Sequence, residues 1–166
     1  QQFDAYFSGR PHYELNEGQA FYQNNDTGVY FDFSFGEDHA QVVSFNINFF
    51  RPHFFGLEAA PEIDAFVKTF DLTIEDPQSE GMEDGTFSVD GFLRGWNAGN
   101  RFAHRAFLTS ETPPETQVYP TAGLERIWRW NFNRRRRQDQ VGDDLFVPAL
   151  MLMTGGSAPR TAVVWP

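Results

Sequence analysis

The side chains of this chain with the most chemical potential are its carboxylates and its four histidines, and their spacing decides what they can do. His12, His39, His53 and His104 are scattered, with no H-E-x-x-H and no pair at i, i+4, so they present no zinc-ligating face. His39 beside Glu37 and Asp38 reads as a solvated turn. Asp71 and Glu75-Asp76 lack the ligand spacing and the closing Glu of a calcium loop. Cysteine is absent, which removes disulfides, thiolate ligands and thiol nucleophiles together. No G-x-S-x-G elbow occurs, and Gly91-Phe92-Leu93-Arg94-Gly95 is neither a P-loop nor a dinucleotide fingerprint. The expectation is no catalytic residue, no metal and no cofactor. One constellation stands as the alternative: Arg51, His53, Glu58 and His104. Glu58 follows Phe54-Phe55-Gly56-Leu57, where partial burial would raise a carboxyl pKa toward acid–base use. A Glu58–Arg51 ion pair closing a strand-to-helix turn is the simpler reading of the same residues.

Charge is unevenly distributed. Residues 1–90 hold seventeen acids against three bases, a net charge of −14, whereas residues 91–166 hold ten Arg against six acids, a net charge of +4. A field of −10 over the whole chain repels nucleic acid and anionic membrane and steers basic partners inward. The acids concentrate at Glu75, Asp76, Glu80, Glu83 and Asp84, in a loop that also carries Gly and Pro, with Glu37 and Asp38 as a second group. These seven are the predicted partner-binding residues. The opposite charge gathers in Arg126, Arg129 and Arg134 to Arg137, interleaved with Trp128, Trp130 and Phe132. Arginines with aromatics suit single-stranded nucleic acid. Four consecutive Arg point all round a helix, however, so pairing with the chain's own acids is the favoured reading and no nucleic-acid partner is expected.

These residues must be positioned by an aromatic-rich core, since Phe occurs nineteen times and Trp and Tyr add nine more. Val29, Phe31, Phe33 and Phe35 alternate with polar residues, as do Val43, Phe45, Ile47 and Phe49, which predicts an antiparallel hairpin. Asn46 and Asn48 fall on its other face, either exposed or in a polar network with Asn97 and Asn100. Pro61, Glu62 and Asp64 mark a helix start, with Ile63, Phe66, Val67 and Phe70 on one face. A short strand at Leu72 to Ile74 follows. A second helix runs from Asp90, its Gly95 and Gly99 letting another element approach closely. Residues 121–141 suit a helix or a strand, and the helix is favoured because the run is long for a strand. Leu145 to Met153 and Thr161 to Trp165 close the chain as strands, the first buried on both faces, joined through Gly155 to Pro159. Residues 1–26 read as an irregular N-terminal segment. The fold class is α+β, a mostly antiparallel sheet with about three helices packed on it, in a single domain over residues 1–166.

The stretch from Phe45 to Ala59 (FNINFFRPHFFGLEA), followed by Gly91 to Asn100 (GFLRGWNAGN), resembles immunity proteins of bacterial polymorphic and type VI secretion toxins. The resemblance implies a cytoplasmic protein that binds a cognate toxin tightly and occludes its active site, and the acidic charge of the chain makes a basic toxin the expected partner. Such families share no catalytic motif, so no functional residue is carried over. No apolar run approaches the roughly 20 residues needed to cross a bilayer, so no membrane partner is expected.

Overall fold

The computed structural model describes residues 2–35, 42–78, 80–112, 119–154 and 159–165. In chain order the elements are α1 (Gln2–Phe7), β1 (Tyr13–Asn16), β2 (Gln19–Asn24), β3 (Val29–Phe35), β4 (Val43–Asn46), α2 (Phe54–Phe70), β5 (Ile74–Glu75), β6 (Asp84–Gly85), α3 (Val89–Leu108), α4 (Thr121–Phe132), α5 (Arg134–Val141), β7 (Leu150–Met153) and β8 (Arg160–Val163). The architecture is α+β, and its main sheet has the strand order β1-β2-β3-β4. The chain divides into two compact units, residues 1–23 with 29–116, and residues 24–28 with 117–166.

In the first unit the period-2 pattern becomes the β3–β4 hairpin, antiparallel with Asp32 opposite Asn46 and Phe35 opposite Val43. The turn predicted at Gly36 to His39 lies outside the described residues. Val29, Phe31 and Phe33 are buried on one face of β3. Against them α2 sets Phe55, Ala59, Ile63 and Phe66, a stripe at helical spacing. Phe33 and Phe66 meet with ring centroids 4.9 Å apart, and Tyr22 stacks on Phe31 at 4.3 Å. Offset and edge-on ring pairs of this kind add to the area they bury.

Several boundaries differ from the sequence expectation. Residues 1–26 are not irregular: they form α1 and the β1–β2 hairpin, in which Tyr13 faces Tyr22 across a turn with Gly18 at φ 72°. Strands this short give too few alternations to stand out as a period. Phe3 and Phe7 of α1 insert into the core, and Arg10 and Tyr13 both donate to Glu62 Oε2 of α2, at 2.9 and 3.1 Å. Burial, and then the Glu62 charge, push the Tyr13 phenol far above its ordinary range. The helix expected at Pro61 starts seven residues earlier, with Pro61 inside it. Proline there removes one backbone donor, and burial of Phe55, Ala59 and Ala60 on the N-terminal side offsets that loss. The strand expected at Leu72 to Ile74 is the two-residue β5 instead.

In the second unit α4 confirms the helix reading of residues 121–132, and Asn133 separates it from α5. The closing strands are shorter than expected, and β7 is not buried on both faces. Leu150 and Leu152 are half-buried, whereas Met151 and Met153 are exposed, because α4 covers one face of a two-stranded ribbon. Residues 155–158 lie outside the described residues.

Candidate functional site

The acidic segment is the first candidate, and the sequence explains how its backbone is fixed. Gly91, Gly95 and Gly99 recur every four residues, so they line one face of α3. A Cβ at Gly95 would come within 2.7 Å of the Gly81 Cα, and one at Gly91 within 2.6 Å of Met82 Cγ. The segment between β5 and β6 is therefore seated against bare helix backbone, the close approach expected from the glycines. A Cβ at Gly99 would meet the Phe49 ring at 2.5 Å and Gln78 Oε1 at 3.1 Å. Asp76 braces the segment from within: Oδ1 accepts from the Gln78 N–H at 3.0 Å, and Oδ2 from the Met82 N–H at 2.8 Å. Arg94 clamps it from the helix, donating to the Glu80 and Gly81 carbonyls at 2.8 and 2.7 Å.

This construction sorts the predicted acids. Asp76 is half-buried and committed to backbone N–H groups, so it shapes the segment rather than facing a partner. Glu80 is exposed and lies 3.4 Å from Arg101, which offsets part of its charge. Glu75 and Asp84 are cross-strand partners, and with Glu83 they are exposed and unpaired by any cation among the described residues. Like charges directly opposite on a ribbon disfavour its pairing, and the contacts of Gly81 and Met82 with α3 oppose that effect. Glu83 itself has φ 59°, in the left-handed region. Glu37 and Asp38 lie outside the described residues.

The four residues of the alternative constellation go to four different partners. Glu58 is 2% exposed and accepts from the Tyr22 hydroxyl at 2.8 Å inside the core. Arg51 turns to the Tyr30 hydroxyl instead of Glu58, with Nε at 3.0 Å, so the expected ion pair is replaced by a contact on the opposite sheet face. His53 Nδ1 lies 3.1 Å from Asn97 Oδ1, and His104 packs edge-on against Phe50. Asn46 bonds Asp32 and Ser34, and Asn48 bonds Tyr30, which makes theirs an exposed polar face and not a buried network. Asn48, and then Arg51, hold the Tyr30 phenol below its ordinary range by stabilising the phenolate. Asn100 has a role that sequence reasoning missed. It is buried on α3 and accepts the Phe50 N–H at 2.7 Å, fixing a residue at φ 61°.

A second candidate stands in the second unit. Asn131 is buried on α4 and makes both backbone bonds to Leu150, donating to its carbonyl and accepting its N–H, each at 2.8 Å. The Trp130 indole N–H donates to the Pro148 carbonyl at 2.8 Å. Gln138 of α5 binds the Gly142 and Leu145 carbonyls and the Val147 N–H. Side-chain amides thus stand in for the third strand that the β7–β8 ribbon lacks. Between these elements runs a groove of about 570 Å³, lined by Ala122, Glu125, Arg126, Arg129, Trp130, Arg137 and Leu150. The Arg137 guanidinium lies 4.9 Å from the Trp130 ring centroid. Arg134 is turned elsewhere and pairs with Asp26 at 2.5 Å, while Arg135 and Arg136 are exposed.

Among the described residues no three potential metal ligands come together, and no helix is long and apolar enough to cross a membrane. No protein-family model, characterised protein or solved structure matches the chain.

Proposed function

We propose that this chain is a non-catalytic binding protein of the immunity type, which occludes a basic bacterial toxin with the acidic ribbon of β5 and β6. The observation that carries the reading is the rigid presentation of Glu75, Glu83 and Asp84. Glu75 and Asp84 face each other across the ribbon, and Gln78, Glu80, Gly81 and Met82 between its strands are held by Asp76, Arg94 and the α3 glycines, while the three carboxylates are left to solvent. A preorganised array of like charge loses little conformational freedom on docking and steers an oppositely charged partner. The contacts described for Arg51, His53, Glu58 and His104, each with a different structural partner, also support this reading over the enzyme alternative.

The test is charge reversal. Changing Glu75, Glu83 and Asp84 together to Lys should slow association with the partner by about tenfold or more at low salt and flatten its salt dependence. Unchanged rates at every salt concentration would remove the ribbon from the interface.

A further inference from the structure

The arginine groove of the second unit answers to none of the demands of an acidic binding face. Arg126, Arg129 and Arg137 line it, and the ion pairs seen among the described residues use none of the three, although Arg137 lies over the Trp130 ring. Glu125 is the sole acid in the lining, so the groove carries a net charge of +2 in a chain of −10. Arg134, by contrast, is committed to Asp26. The rest of the lining is apolar or aromatic: Ala122, Leu150 and Trp130, whose indole is pinned through its N–H. The groove is open to solvent, and its volume of about 570 Å³ is enough to admit a small molecule.

We propose that this groove binds a small phosphate monoester that also bears a flat aromatic ring, the chemistry shared by nucleoside monophosphates and aryl phosphates. A guanidinium fork matches phosphate oxygens two at a time, so one phosphate dianion engages several arginines where a single carboxylate is satisfied by one. The ring lies against the Leu150 and Ala122 walls and the stacked Trp130–Arg137 pair. A long polyanion is disfavoured by the acidic field of the whole chain.

Isothermal titration of the full chain with AMP, phenyl phosphate, adenosine and inorganic phosphate tests the assignment. AMP and phenyl phosphate should bind, with adenosine and inorganic phosphate each at least about tenfold weaker, since each supplies half of the recognition. The double variant R126A/R129A should weaken AMP by about tenfold or more, and R126K/R129K should recover part of that loss, because Lys keeps the charge without the fork. Both positions are exposed, and unchanged circular dichroism would establish that the variants fold. Absence of binding to both AMP and phenyl phosphate, or equal binding by R126A/R129A, overturns the proposal. So does inorganic phosphate binding as well as AMP, or a single-stranded oligonucleotide binding about a hundredfold more tightly than AMP, the behaviour of a nucleic-acid surface.

Discussion

The β5–β6 ribbon and the α4–α5 groove are both charged surfaces, and they are built by opposite means. The first unit holds eighteen acids against six bases, the second five acids against seven bases. In the ribbon the charged side chains do no positioning work, apart from Asp76: glycines on α3 and the Arg94 clamp fix the backbone, and the carboxylates follow. In the groove the arginines stand on helices, and what must be fixed is the wall opposite them. Asn131 and Gln138 do that by making backbone-like bonds to a strand pair that is short of neighbours. A charged surface on a loop thus depends on its seat, whereas one on a helix depends on its far wall.

Breaking the far wall should have the largest effect. Asn131→Ala leaves the Leu150 N–H and carbonyl without their partner and should cost about 2–4 kcal/mol, summed over two unmade bonds. Urea denaturation would measure it, with backbone exchange at Leu150 rising in step. Breaking the seat comes next. Gly95→Ala forces a methyl group against the Gly81 backbone and should cost about 1–3 kcal/mol. Asp76→Ala strands the Gln78 and Met82 N–H groups, for a similar loss of about 1–3 kcal/mol if they stay dry. Hydrogen exchange should show residues 76–82 loosening in both variants and the groove unaffected; the reverse pattern would break the comparison.

A smaller effect separates two tyrosines of the first unit. Tyr13 is buried beside Glu62 and its pKa is raised, so its contribution to stability is complete below the ordinary phenol value, about 10, and is lost as pH rises through that value and beyond. Tyr30 has its pKa lowered by Asn48 and Arg51, so its contribution appears as pH climbs toward that same value and is absent below its own depressed pKa. Ultraviolet titration should find one tyrosine ionising early, and that step should vanish in Tyr30→Phe. The smallest effect on stability belongs to the ribbon charges. Each of Glu75→Lys, Glu83→Lys and Asp84→Lys should stay within about 0.5 kcal/mol of wild type in urea denaturation, as exposed positions do.

Much of the fold was legible because periodicity reports burial. The β3–β4 hairpin, the face of α2 carrying Ile63, Phe66 and Val67, and the helix at residues 121–132 each span enough residues for their period to show. The β1–β2 hairpin was not legible, because β1 carries only two alternations and β2 runs Ala20-Phe21-Tyr22 without alternating. The start of α2 was hidden by Pro61, whose preference for a first turn outweighed the apolar stripe preceding it. For the site, the acids of residues 75–84 and the role of the α3 glycines were readable from composition and spacing. The division between bracing and exposed acids was not, since it depends on Asp76 reaching the Gln78 and Met82 N–H groups while the Glu75 side chain stays exposed. The groove was half visible: the arginines and tryptophans were plain, but its wall needed Asn131 to meet Leu150, nineteen residues away.

The central claim is that the unpaired carboxylates of the β5–β6 ribbon form the interface to a basic protein. The most direct measurement is affinity capture from the native lysate, with the wild-type chain and the Glu75, Glu83, Asp84 triple-Lys variant side by side at low and high salt. The account predicts one stoichiometric basic partner, toxic when expressed alone, retained by wild type at low salt and lost by the variant. Capture of the same partner in equal amount by both proteins would contradict it.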